Sequence, residues 1–189
     1  MGDWHQAEEH AERAELLLAR GRGTEAEAEI RRAIEIDPVR GEWHAALALV
    51  LESVDRLEEA LASMRQAAVL LPEDIQPLTS SAELSLRLDR PEEAIEHAER
   101  AIEFPEAEEQ IHAVKIAALH RLERFEDAEL AYFVAQQKFE EMPSCLVAMG
   151  DLQADQHAFD RASWCYREAM RQAPSMPRLR ARIASILGA

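Results

Sequence analysis

Few residues in this chain have both the type and the spacing that chemistry requires. Glu109-x-x-His112 has the spacing with which carboxylate-bridged di-iron bundles hold metal, but such a site takes a second copy and two more inward glutamates on facing helices. The chain holds one copy, so a polar pair at a helix start is the reading it supports. Cys145 and Cys165 have neither a second Cys nor a His at a metal-ligand spacing. They are expected as reduced, structural thiols of a cytoplasmic protein rather than as a disulfide. No HExxH, nucleophile-elbow serine, P-loop or CxxC occurs. No catalytic residue, metal or cofactor is therefore expected, and an enzyme is the least favoured function. Arg22, Arg56, Arg90 and Arg124 do keep a register, each 34 residues from the last. A ladder of bound anions would use them. Local pairing with Glu58, Glu59, Glu92, Glu93, Glu126 and Asp127, at the starts of the following helices, is the simpler account, since exposed pairs of this kind are common and weak.

The elements that would position such residues are written in the same 34-residue period. Ala26, Ala60, Ala94, Ala128 and Ala162 form one column, and Ala33, Ala67, Ala101, Ala135 and Ala169 form a second seven residues on. Between them stand Ile30, Met64, Ala98, Tyr132 and Tyr166. Alanines seven apart lie two turns apart on one helix face, where they let a neighbouring helix approach closely. Pro38, Pro72 and Pro174 close three of the units, with Pro105 one place early and Glu140 where the fourth proline would fall.

A fixed period replaces the expectation of one globular core with a linear array in which each unit packs on its neighbours. The array is expected to fill 1–189, with repeats at about 7–40, 41–74, 75–108, 109–142 and 143–174 and a capping helix at 175–189. Aromatic content of 5% and only 6 glycines argue against a strand-rich fold or a glycine-loop nucleotide site. The formal charge of -16 disfavours nucleic acid and anionic membranes as partners and suits a basic or neutral protein. Charge is uneven along the chain. Residues 161–189 carry six arginines against Glu168, a net of +5, which leaves -21 for the first 160. The N-terminus shows no signal-peptide pattern, and no apolar run reaches membrane-spanning length.

Asp3 with Gln6 has the form of a capping box opening the first helix, which carries Ala7, Ala11, Ala14, Leu17 and Leu18 and stops at Arg20-Gly21-Arg22-Gly23. A second helix is predicted from about Thr24 to Ile36, and the pattern repeats with turns at Val54-Asp55-Arg56 and Asp89-Arg90-Pro91. Beyond the fifth repeat Leu179, Ile183, Ile186 and Leu187 form one more apolar stripe with arginines opposite, which reads as a cap over an otherwise bare end.

A 34-residue helix-turn-helix unit with Ala, an apolar residue four later, Ala three after that and Pro at its end resembles the tetratricopeptide repeat. The resemblance covers about residues 7–174. It departs in each first helix: His10, His44, Leu78, His112 and Leu146 replace the large aromatic, and Ala14, Ala48, Ala82, Ile116 and Gly150 stand at the family's small Gly. Ser85 and Gln153 occupy places where a bulky apolar residue is usual, so repeats three and five are expected to pack less tightly there. The resemblance implies an all-α, right-handed superhelix of five helix pairs plus a cap, eleven helices in all, whose first helices line a concave groove that receives peptides or proteins.

The groove columns that the resemblance implies are Glu8, Ala11, Glu12, Glu15 and Leu18 in the first repeat, then Glu42, Ala45, Ala46, Leu49 and Glu52 in the second. The third gives Gln76, Thr79, Ser80, Glu83 and Leu86, and the fourth Gln110, Ala113, Val114, Ala117, His120 and Arg121. Ser144, Val147, Ala148, Asp151 and Asp155 complete the set. A shallow apolar floor with acidic residues around it suits a segment that is apolar on one side and basic on the other; simple packing between neighbouring first helices is the alternative for any one alanine. The family's clamp for a chaperone's C-terminal carboxylate is excluded, because the chain has no Asn and neither Lys115 nor Lys138 lies in those columns. The expected function is a non-enzymatic protein-interaction scaffold. The alternative is a structural scaffold that self-assembles head to tail through its oppositely charged ends.

Overall fold

The structure, a computed structural model, describes residues 4–176 and 178–187, the side chain of Leu187 apart. Asp3, and with it the expected capping box, lies outside the described residues, as do 188–189 of the expected capping segment. Among the described residues there are eleven α-helices and no strand. First helices are α1 (Trp4–Ala19), α3 (Gly41–Ser53), α5 (Gln76–Arg87), α7 (Glu109–Arg121) and α9 (Pro143–Asp155). Each is followed by a second helix: α2 (Gly23–Ile36), α4 (Leu57–Leu70), α6 (Pro91–Ile102), α8 (Phe125–Lys138) and α10 (Phe159–Gln172). A final helix, α11 (Leu179–Leu187), closes the order. None of them is long and apolar enough to cross a membrane.

The chain forms two compact units, Met1–Asp89 and Arg90–Ala189. In the first, α1 packs on α2, α2 on α3, α3 on α4 and α4 on α5. In the second, α6 packs on α7, α7 on α8 and α9, α9 on α10 and α10 on α11. Both alanine columns are responsible for this closeness, since all ten residues are wholly buried. A larger side chain at any of them would meet a neighbouring helix, and overpacking of this kind costs about 1–3 kcal/mol. Ile30, Met64 and Tyr166, from the intermediate column, are buried with them.

Helix ends follow from local chemistry. Asp37, Leu71 and Ala173 each precede a proline and leave the helical region, with φ of -136°, -121° and -130°, because the proline ring disfavours helical geometry in the residue before it. Their N–H groups still donate to Ala33, Ala67 and Ala169. Lacking a proline at Glu140, α8 nonetheless stops at the corresponding place, where Phe139 is extended. Pro91 and Pro143 open α6 and α9 from positions that have no intrahelical partner for an N–H.

A regular turn joins first to second helices. Gly21, Asp55, Asp89, Glu123 and His157 stand 34 residues apart and all have positive φ, between 56° and 71°. At four of these turns the next residue's N–H reaches back five residues, as Arg22 to Leu17, Arg56 to Leu51, Arg124 to Leu119 and Ala158 to Gln153. That is the Schellman closure of a helix, which satisfies carbonyls left without partners at its end.

Ser85 and Gln153 are enclosed despite their polarity, at 0% and 5% exposure, with Ser85 Oγ and Gln153 Oε1 accepting or donating no hydrogen bond.

Candidate interaction surface

Each first helix presents its groove column within its own compact unit. In the first unit, Glu12, Glu15, Glu42, Leu49, Gln76 and Glu83 are exposed, and Glu8, Ala11, Leu18, Ala45, Ala46, Glu52, Thr79, Ser80 and Leu86 are half-buried. None of these fifteen is a core residue. Leu49 is the most conspicuous, an aliphatic side chain 52% exposed on a helix that otherwise buries Leu47, Val50 and Leu51. Arg40 lies between Glu8 and Glu42, 3.7 Å from each, with its guanidinium 5.3 Å over the Trp43 ring.

Further along that face Arg87 of α5 pairs with Glu52 of α3. Glu83 is left with less favourable company. Desolvation and then the nearby Glu52 charge push its carboxyl above the ordinary carboxylate range, and Arg87 only partly offsets them. A carboxylate held in this way gains from any cation brought to it.

In the second unit Gln110, Arg121 and Asp155 are exposed, and Val114, Ala117, His120, Ser144, Val147 and Asp151 are half-buried. Ala113 and Ala148 are buried, at 9% and 7%, so they space α7 and α9 apart from their neighbours more than they offer surface. His120 Nε2 lies 3.0 Å from Asp155. Asp151 is already engaged: it accepts a 2.6 Å bond from the Tyr166 hydroxyl and a 3.0 Å bond from Arg182 of α11. This side chain ties the last helix pair to the closing helix, and its carboxylate is not free for a partner.

The turn arginines are engaged as well. Arg22 meets Glu25 at 2.5 Å, Arg56 meets Glu59 at 2.5 Å and Glu27 at 2.6 Å, Arg90 meets Glu93 at 3.9 Å and Arg124 meets Asp127 at 2.7 Å. Regular spacing here reflects a repeated local pair, three residues apart, at the starts of α2, α4, α6 and α8.

The architecture has clear counterparts among solved structures. A tetratricopeptide repeat protein of Parabacteroides merdae superposes with a TM-score of 0.81 at 19% identity, covering 97% of this chain and 73% of that one. A thermophilic TPR protein of Thermus thermophilus gives 0.71 at 21% identity over 97% of this chain and all of the other. YrrB, described as a TPR protein with an unusual peptide-binding site, gives 0.70 at 16% identity over 93% and 90%. The chain has the tetratricopeptide-repeat fold. No protein-family model matches it, and no curated protein does.

Two functional placements in this tetratricopeptide fold escape a reading of the sequence. Glu109, 8% exposed, accepts hydrogen bonds from the backbone N–H groups of Ser144 and Cys145, both at 3.0 Å. Its carboxylate caps the start of α9, where unpaired N–H groups and the helix dipole favour an anion. The Glu109-x-x-His112 spacing is thus an inter-repeat cap followed by a buried ring, with His112 edge-on to Phe139 at 5.4 Å. Among the described residues, no cluster of three His, Cys, Asp or Glu side chains could hold a metal. Cys145 and Cys165 are both free and buried, and burial pushes the Cys165 thiol up to about 11 and the Cys145 thiol further in the same direction.

Gly150 is the other. It is the one first-helix position of its column that keeps glycine, because a Cβ there would lie 2.5 Å from Tyr166 Cε1. Glycine and the large ring of Tyr166 are one packing solution, in a place where the second repeat uses Ala48 and Met64, both buried.

Proposed function

We propose that this chain is a non-enzymatic interaction scaffold whose first-helix face receives a basic, partly apolar segment of a partner protein. The observation that carries the reading is the α3–α5 face of the first unit. There exposed Leu49 shares a face with Glu42, Glu52 and Glu83, and desolvation first and the Glu52 charge second hold the Glu83 carboxyl above its ordinary range. A lysine or arginine from a partner would relieve that repulsion while its stem or a neighbouring residue covers Leu49. The fold supports the class of function: YrrB, which shares it, is described as having a peptide-binding site. The -16 charge favours basic partners. The groove columns named above, from Glu8 to Asp155, are the proposed surface, with Asp151 and Ala113 in structural roles within it.

Affinity capture from the source cell, followed by identification of what is retained, supplies the partner. The double variant Leu49→Arg with Glu83→Arg then tests the surface. Both residues are exposed, so the variant should fold, and circular dichroism checks this. Retention is expected to fall by roughly ten-fold or more, as for a truncated interface hot spot. Unchanged retention would place the site elsewhere.

A further inference from the structure

Second helices turn to solvent a face that has no part in the groove columns, and the repeat sets its own standard for what that face carries. At the registers of Leu130, Phe133 and Val134 in α8 and of Trp164 in α10, the first three repeats have only alanine, glutamine or charged residues. These four are nonetheless large, apolar and between 52% and 62% exposed. Of nine such side chains exposed among the described residues, the other five are scattered over α1, α3, α4 and a loop. A cleft of about 360 Å³ lies between α8, α9 and α10, with apolar walls from Tyr132, Met149, Trp164 and Cys165 and with Asp160 and Arg161 beside them. Phe133 stands edge-on to Tyr132, at 6.1 Å between rings. The first unit has a similar cleft of about 380 Å³ among α2, α3 and α4, lined by Arg31 and Ala62 in the registers of Phe133 and Trp164. The crease is therefore a product of the repeat, and the aromatic rings are particular to the second unit.

Arg161 breaks a further column. Glu25, Glu59, Glu93 and Asp127 hold its place in the four earlier repeats, each paired with the turn arginine three residues before it. In the fifth repeat the turn residue is Ala158 and the carboxylate has become Arg161, so both halves of the pair are gone. The Arg161 side chain has no ion-pair or hydrogen-bond partner among the described residues. Asp160 does not serve as one, since successive residues on a helix do not face each other. An apolar cleft thus has, on its rim, a reversed charge that the chain itself does not answer. We infer that the α8–α10 face docks a segment of a partner protein in which a large apolar side chain, seated in the cleft, is flanked by aspartate or glutamate, with one of those carboxylates pairing with Arg161.

Shape and charge together choose this occupant. The cleft takes one protruding side chain, and the apolar surface of Phe133, Val134 and Leu130 beyond it takes more of the same segment, which favours a polypeptide over a free small molecule. Charge gives the segment its sign. Arg161 and Arg167 are both without a partner among the described residues, and Lys138 follows Val134 by one turn. Glu168 is already held by Arg171 at 2.5 Å, and Asp160 is the one carboxylate that lines the cleft. These local charges act at contact, whereas the -16 of the whole chain is screened beyond about 10 Å. A second copy of the chain fits poorly, because a two-fold contact would set Arg161 and Arg167 against their own counterparts. A bilayer is flat and does not fill a cleft, and its anionic lipids are repelled by the net charge. The sign is opposite to that proposed for the groove of the first unit, so the two surfaces take different segments.

The test is selection of a random peptide library on the immobilised full chain, discarding peptides that also bind the Phe133→Arg, Trp164→Ala variant. Surviving peptides are expected to carry Leu, Phe or Trp with Asp or Glu close by in sequence. Synthesised singly, they should bind Trp164→Ala and Arg161→Glu each roughly ten-fold more weakly than the native chain, or worse. Replacing their acidic residues by lysine should abolish binding to the native chain and restore it to Arg161→Glu, which a merely structural role of Arg161 would not produce. All three substitutions install residues that the first two repeats carry in the same registers, Arg31, Ala62 and Glu59, so the fold should persist, and circular dichroism checks this. The inference is overturned if no peptide survives the selection, if the survivors are basic or uncharged, or if Arg161→Glu leaves their affinity within about two-fold of native. A native dimer dispersed by Trp164→Ala would overturn it in favour of a second copy. Pelleting with vesicles of phosphatidylserine and phosphatidylcholine that Trp164→Ala abolishes would overturn it in favour of a membrane. The Leu49→Arg, Glu83→Arg variant, altered in the other compact unit, should bind the surviving peptides as the native chain does, so this site and the groove stand or fall separately.

Discussion

His112 shows how a residue whose type suggests chemistry can serve stability instead. It is 2% exposed and its Nε2 makes no hydrogen bond. Burial first, then the charges of Lys138 and Lys115, hold its pKa below the ordinary 6.5, against a smaller opposing pull from Glu109. The unfolded chain therefore takes up this proton before the folded chain does. Stability from the neutral ring is complete above about pH 6.5 and declines as pH falls through the window below it. Urea midpoints measured from pH 7.5 to pH 5 should fall in the native protein and fall less in His112→Leu; equal slopes would show that another group governs this range. Carboxylates such as Glu168, held at about 2 by Arg171, act only in more acidic solution. Glu109 and His112 were visible in the sequence as a spacing, but not their work. The N–H groups that Glu109 caps belong to residues 35 and 36 places on, and only the packing of α7 against α9 brings them together.

At the scale of elements, the repeat was legible because its two alanine columns are enforced by close helix contact, and ten wholly buried alanines at one period have no other ready cause. The places of the turns at Arg20-Gly21-Arg22-Gly23, Val54-Asp55-Arg56 and Asp89-Arg90-Pro91 were legible too, but their left-handed geometry was not. The left-handed residue is glycine only at Gly21, while Asp55, Asp89, Glu123 and His157 carry side chains into a conformation that ordinarily costs an L-residue about 1–2 kcal/mol. The hydrogen bonds of the Schellman closure hold them there. Such strain can be removed where the side chain itself contributes little. Glu123 is exposed, at φ 56°, and Glu123→Gly is expected to raise unfolding stability by about 1 kcal/mol, with Gly21→Ala lowering it by a similar amount. Thermal or chemical denaturation of the two variants measures both. A loss on Glu123→Gly would mean that the flexibility gained by the unfolded chain outweighs the relief of strain. Gln153 illustrates the intermediate case: its oddness at an apolar position was legible, but the cleft it helps to line needed three helices in place.

For the molecule as a whole, the open question is what the charge asymmetry does, with +5 in residues 161–189 against -21 before them. Head-to-tail association would use exposed arginines near the C-terminus. Of the two arginines of α11, Arg180 and Arg182, the second is already occupied, since Arg182 bonds Asp151 and lies 6.0 Å over the Tyr166 ring. Helix α11 also covers apolar surface: Leu179, 1% exposed, and Ile186, 9% exposed, pack in one cluster with Leu146, Tyr166 and Ala169 of the last helix pair. We expect α11 to act as a cover, and the native chain to sediment as a monomer at low and high salt alike. Detaching the cover with Leu179→Asp and Ile186→Asp should then produce self-association that grows with protein concentration and persists in high salt, because the surface uncovered is apolar and screening does not weaken it. Association of the native chain that disappears as salt rises would instead assign the asymmetry to assembly, since contacts between exposed charges are the ones that ionic strength removes.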